Sequence, residues 1–266
     1  MSSEVKTGAA ARKPSPSPVE ICSNHTGKME GICSISTAVT TNEFCQRKQK
    51  VEGSICSHCY AEAMMEQYSA LEEKLKRNTA VLTSRVLDME ELPDTTGCDI
   101  FRFESFGDLN NKVQLENYLN IVKKNPSTRF TLWTKQYQMV FEFFAARPEM
   151  EVPKNFTLIL SSLMINKRIS LDKMKSLGKF ERGQLKCFTV YDFEYIREHF
   201  EEMDINCGSK YCMGCRLCYD RTEVEDISEV LKADQPRVEA FLKTHDPERI
   251  AKELELLEWI GDEDDE

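Results

Sequence analysis

The chain has 266 residues, 41% of them hydrophobic, and a net charge of −10, which is enough apolar content for one large core or two small ones. It has no run of eighteen apolar residues, which excludes a helix spanning a membrane, and no secretory signal is read at its start, so a cytoplasmic location is expected. From Arg221 onward sixteen acids face six bases, whereas 29 of each precede it; a neutral core with an acidic tail does not point to nucleic acid as a partner.

Residues 1–20 are poor in apolar side chains and contain Lys-Pro-Ser-Pro-Ser-Pro, and are expected to be a disordered tail. Residues 21–53 are polar and Cys-bearing and read as loops organised by metal. Residues 59–75 have helical spacing, with Ala63, Tyr68, Leu71 and Leu75 on one face; 78–87 reads as a further helix. An alternation follows. Strands are predicted at 99–104, 128–134, 156–161 and 187–191. Helices are predicted at 113–124, ended by Asn125-Pro126, at 137–146, stopped by Pro148, and at 171–177. Strand–helix units of this length imply an α/β fold, a parallel sheet with helical crossovers, expected as an incomplete barrel. Beyond Thr222 the chain reads as helical and charged, with apolar stripes at 238–242 and 250–259. The expected domains are thus a tail at 1–20, a core at 21–222 and an acidic helical extension at 223–266. That extension reads as a surface helix pair or as a docking arm for a protein partner.

Eleven cysteines punctuate this pattern. Cys207, Cys212, Cys215 and Cys218 are spaced C-x4-C-x2-C-x2-C, a compact run of the kind that wraps an iron–sulfur cluster. Gly208 and Gly214 permit the close turns. Zinc, the alternative, more often uses two C-x2-C knuckles set apart. Upstream, Cys45, Cys56 and Cys59 are spaced C-x10-C-x2-C. Three thiols on a 4Fe–4S cluster leave one iron without a protein thiol, an open position of the sort catalytic metals keep. Cys33 is a candidate fourth ligand that would close the site, Cys22 and His25 are further candidates, and His58 reads as a surface residue. Without an export signal, clustered thiols read as metal ligands rather than disulfides. Cys98 and Cys187, by or in strands, read as buried thiols.

Ligands of open α/β sheets bind outside the carboxyl ends of the strands. There the sequence places Glu104, Ser105, Gly107 and Asp108, then Thr134 and Lys135, Ser161 and Ser162, and Tyr191 and Asp192. Glu104, Asp108 and Lys135 are the candidate catalytic residues; Ser105, Gly107, Ser161 and Asp192 are the candidate cofactor contacts. Plainer roles compete: Asp108 can cap the following helix, and Arg102, in phase with Glu104, can pair with it. Trp133, Phe141, Phe143 and Phe144 read as core. No phosphate loop, dinucleotide fingerprint, G-x-S-x-G or H-E-x-x-H string occurs.

The string Cys-Ser-His-Cys-Tyr-Ala-Glu at 56–62, heading a helix before strand–helix units, resembles the cluster loop of radical S-adenosylmethionine enzymes. That loop is usually C-x3-C-x2-C with an aromatic before the last thiol. Here the final C-x2-C is kept at Cys56 and Cys59, the first interval is far longer, His58 precedes the last thiol and Tyr60 follows it. Across roughly 21–219 the chain also resembles uncharacterised, cysteine-rich phage and prophage proteins. These share a segment ending in Cys-Tyr-Ala, a strand with an S-x-x-D-like end, a later strand ending in Thr-Lys, and a cysteine-rich close. The corresponding strings here are 59–62, 101–109, 132–135 and 205–219. The resemblance implies a radical-S-adenosylmethionine-like iron–sulfur fold, with 105–108 where that superfamily holds the methionine amine on a Gly-Gly-Glu string. The expected function is an iron–sulfur enzyme, radical-S-adenosylmethionine-like or otherwise reductive. It would have an open upstream cluster, an auxiliary downstream cluster, and a small-molecule ligand or electron donor as partner. The alternative is a non-catalytic iron–sulfur or zinc protein whose metals staple the fold or sense redox state.

Overall fold

The computed structural model describes residues 17–24, 27–208 and 211–245. Seven strands form one sheet in chain order: β1 (Cys22–Ser23), β2 (Cys33–Ile35), β3 (Ile100–Phe103), β4 (Arg129–Thr134), β5 (Phe156–Ser161), β6 (Leu185–Tyr191) and β7 (Asp226–Val230). β1 is antiparallel to β2, and every later pair is parallel. The fold class is therefore α/β with a mostly parallel sheet and helical crossovers. β1 and β7 are its edge strands and are not paired with each other.

Between β2 and β3 lie α1 (Glu43–Lys48), α2 (Tyr60–Gln67) and α3 (Ser69–Ser84). One helix then follows each of the next strands: α4 (Lys112–Lys124), α5 (Tyr137–Ala145), α6 (Asp172–Lys175) and α7 (Phe193–Glu198). Local chemistry sets these boundaries. Asn111 caps α4 by accepting from the Gln114 amide at 2.9 Å, and Lys123 and Lys124 close its last turn, opposite the positive end of the helix dipole. The inner stripe of α4, Leu115, Tyr118, Leu119 and Val122, packs with Val140 and Phe144 of α5 against Phe101, Phe103, Phe130, Leu132 and Leu158. Alternation along each strand sends the other side chains to the opposite face, where Trp133, Ile159, Phe188, Val190 and Ile227 cluster.

Several expectations need revision. The region 21–53 is not all loop, because β1 and β2 lie in it. β2 is three residues long and carries no readable alternation. Nor is the region beyond Thr222 all helical. β7 lies there and pairs along β6, so the core reaches past 222. Only Ile227 of β7 is buried, which hid it among charges; the short α8 (Cys212–Cys215) precedes it and α9 (Gln235–His245) follows it. Residues 59–84 form two helices broken at Tyr68, whose φ of −125° and ψ of 87° leave the helical region. Residues 17–20, assigned to the tail, pack onto α3. Val19 is buried, and Asn78 binds the Glu20 amide and carbonyl at 2.8 and 2.9 Å. The stripe at 250–259, the acidic terminus and most of the N-terminal tail lie outside the described residues.

The expectation of free thiols throughout is also corrected. Cys33 and Cys98 form a disulfide, their Cα atoms 6.1 Å apart. Parallel pairing of β2 with β3 sets Cys33 beside Phe101, which brings together two cysteines 65 positions apart. Separation of that size is not legible in spacing.

Candidate metal centre

The upstream thiols follow the first parallel strand. Asn42 starts α1 by accepting from the Phe44 and Cys45 amides at 2.9 and 3.3 Å. Its amide group donates to the Asp108 carbonyl at 2.8 Å, so Cys45 is fixed against the loop after β3. Ser54 caps the turn Ile55–His58, and Ile55 donates to the Leu163 carbonyl at 2.8 Å. The Cys56–Cys59 turn thereby reaches from the end of β2 to the end of β5, across the carboxyl ends of the strands. Cys45 is buried and Cys56 and Cys59 are half-buried; His58 is exposed. Burial pushes the Cys45 thiol up, and neighbouring Asp108 adds to this. Burial raises Cys56 too, opposed by the Lys135 ammonium. Lys135 is thus the cation facing this group. Cys33 is not its fourth ligand, being bonded to Cys98. Cys22 pairs with Ser34 across β1 and β2, and His25 lies outside the described residues.

The loop after β3 is built tightly. Glu104 has φ of 60° and Gly107 φ of 77°. A Cβ on Gly107 would lie 2.4 Å from the Thr37 carbonyl oxygen, so glycine is required there. The Glu104 carboxylate accepts from the Thr37 amide at 3.1 Å, the Tyr118 hydroxyl at 2.5 Å and Gln114 Nε2 at 2.5 Å. Asp108 accepts from the Leu109 and Lys135 amides at 2.8 and 2.9 Å and from Thr134 Oγ1 at 2.5 Å. It therefore locks the β3 loop to the end of β4, while Asn111 caps α4. Ser105 Oγ is buried with no partner, and the Ser105 carbonyl accepts from the Tyr60 hydroxyl. Ser161 is buried at the end of β5. Ser162 Oγ donates to the Met164 carbonyl at 2.9 Å. Asp192 caps α7 through the Tyr195 amide at 2.9 Å and accepts from Asn166 at 2.8 Å. Glu104, Asp108, Lys135, Ser161, Ser162 and Asp192 thus all stand at carboxyl ends. The carboxylates among them are turned to internal donors.

The downstream thiols fall between β6 and β7 and fill the face opposite the helices. Cys207, Cys212, Cys215 and Cys218 line one cavity of about 20 Å³ with Lys28, Asn206 and Tyr219, space for about one water-sized atom. A larger guest requires the segment to give way. The Cys207 thiol is pushed up to about 12 by burial, then by Glu229, against Lys28. Burial likewise raises Cys212 and Cys218. Lys28 Nζ donates to Cys207 Sγ at 3.4 Å and to Glu229 at 2.7 Å, and the Lys28 carbonyl accepts from the Cys212 amide at 2.8 Å. Lys186, wholly buried, donates to the Leu217 and Asp220 carbonyls at 2.5 and 2.9 Å and to Thr222 Oγ1 at 2.9 Å. Ile55, beside Cys56, packs on the same apolar cluster as Cys207, Cys218 and Trp133, whereas Cys45 and Cys59 pack on a separate one. Sequence reasoning missed Lys28, which carries no signal, and Lys186, which does: a lysine inside the apolar strand Leu185–Tyr191.

The donor chemistry fits a thiolate-bound cluster, with Lys28, Arg102 and Lys186 placed to offset negative charge. The positions are not a finished coordination sphere: among the described residues no three His, Cys, Asp or Glu side chains stand in an arrangement that holds a metal ion. A roomier groove of about 320 Å³ between Tyr137, Phe141, Ile169 and Met174 has no thiol or carboxylate in its lining.

The model of the family Gene product 88 matches residues 6–216. The chain belongs to the Gene product 88 family. The match covers the sheet through β6 and both thiol groups up to Cys215, and it agrees with the resemblance to phage proteins at that coarser level. No curated protein matches the chain, and no solved structure matches it. Among the described residues no helix is long and apolar enough to cross a membrane.

Proposed function

We propose that this member of the Gene product 88 family is an iron–sulfur protein with reductive, radical-S-adenosylmethionine-like activity. The observation that carries the reading is the convergence of four cysteines, Cys207, Cys212, Cys215 and Cys218, on one cavity of the face opposite the helices. Cysteines at such short intervals are the pattern of metal ligands, and iron–sulfur clusters are held by such sets. Cys45, Cys56 and Cys59 would hold a second cluster at the carboxyl ends of the strands. With Cys33 bonded to Cys98, Cys33 does not supply its fourth corner. An iron of this kind binds S-adenosylmethionine or another small molecule and supplies the electron chemistry. Residues 105–108 end the second parallel strand, the place the resemblance gives to a methionine-holding string.

A second reading, a cluster that staples the fold, draws support from Glu104 and Asp108. Their carboxylates are spent on the loop itself. Paramagnetic resonance of the anaerobically reduced protein separates the two. Added S-adenosylmethionine should change the spectrum of the upstream cluster, and should not do so in Cys56→Ala. An unchanged spectrum in the parent rules out the enzyme reading and leaves the structural one.

A further inference from the structure

The face opposite the helices holds three buried polar atoms with no hydrogen-bond partner: Ser34 Oγ, Arg102 Nε and Trp133 Nε1. They are neighbours by topology. Ser34 of β2 stands opposite Arg102 of β3 in register, and the Arg102 guanidinium lies 4.3 Å from the centre of the Trp133 ring on β4. Ser34 is 1% exposed. Buried polar atoms in native proteins are nearly always paired, and an exception calls for a partner.

Arg102 forms no ion pair with a carboxylate among the described residues. Its Nη1 is spent on the Met29 sulfur at 3.2 Å. A half-buried guanidinium without an anion is costly. Tyr219 is hydrogen-bonded to it, and Tyr60, next to Cys59, and Cys218 lie near it. The cation thus has neighbours from both thiol segments and no carboxylate partner among the described residues.

We propose that this patch binds a small organic acid. Its carboxylate is taken by Arg102 Nε, and a second oxygen on the same molecule by Ser34 Oγ or Trp133 Nε1. One guanidinium matches one negative charge, and the indole gives the carbon skeleton an aromatic wall. That this acid is the substrate rests on the cluster reading; that it binds does not.

Trp133 and Trp259 are the two tryptophans of the chain, so Trp259→Phe leaves Trp133 as the reporter. Lactate, a carboxylate with a second oxygen, should quench its fluorescence saturably, and inorganic phosphate should not. Arg102→Met should weaken lactate at least tenfold and Ser34→Ala at least threefold. Ser34→Ala removes a single oxygen and keeps the packing, so it answers if Arg102→Met fails to fold. Absence of a saturable response to lactate, equal affinity in Ser34→Ala, or tighter binding of phosphate overturns the proposal. Iron measured in the same samples separates the two readings. Iron without lactate binding removes the site alone, whereas lactate binding in iron-free protein keeps the site and removes the clusters.

Discussion

Glu104 shows how one residue can be decisive without being catalytic. It leaves β3 at φ of 60°, a conformation that disfavours most side chains, and spends its carboxylate on donors from α4 and from the segment after β2. Burial raises its pKa from 4.5 to about 8, against the Tyr118 and Thr37 donors and with the help of Asp108. An acid whose folded-state pKa is raised favours folding while it is protonated. That contribution is complete below about 4.5 and is lost as pH rises through about 8. Asp108, also raised by burial, has the same sign. Urea unfolding between those two pH values should show parental stability falling as pH rises. The slope should reach up to about 1.4 kcal/mol per pH unit for each group. Glu104→Gln, which cannot titrate, should have a shallower slope; equal slopes would show that this carboxyl does not change its protonation on folding.

At the scale of elements, the thiol segment 207–218 is held by contacts from outside itself. Lys186 of β6 ties it down by three hydrogen bonds. Lys186→Met should cost about 3 kcal/mol, the scale of losing buried charge-assisted bonds. It should also speed alkylation of Cys215 and Cys218 in the metal-free chain. Unchanged stability and unchanged alkylation would show that the segment is held otherwise. β2 makes a separate prediction. Denatured without reductant, the chain should titrate nine thiols, and eleven after reduction; eleven in both states would remove the Cys33–Cys98 bond. The alternation of strands and helices from β3 to β6 was legible because each element has its own apolar period and stop signal. The edges were not. β2 is too short for a period, and β7 presents charged side chains to water. The thiol groups were legible as spacing. Their placement was not, because it depends on the loop from β2 reaching over to Leu163 and on the two unread strands.

For the whole molecule, the pattern is a helical layer on one face of a parallel sheet and cysteine segments on the other. β2 and β7 do not pair. The ion pair between Lys28 and Glu229, at 2.7 Å, and the bond from the Cys212 amide to the Lys28 carbonyl bring the approach to β2 and the thiol segment to the far edge. A metal bound there would join sequence neighbours of both edges, and such binding contributes directly to folding. The account therefore rests most heavily on what the seven thiols hold. Anaerobic purification followed by iron and acid-labile sulfide assay measures it. Iron and sulfide in equal amounts are expected, reduced in Cys212→Ala and in Cys56→Ala and retained in Asp108→Ala. A colourless protein carrying only zinc, or no metal after anaerobic preparation, would contradict the account.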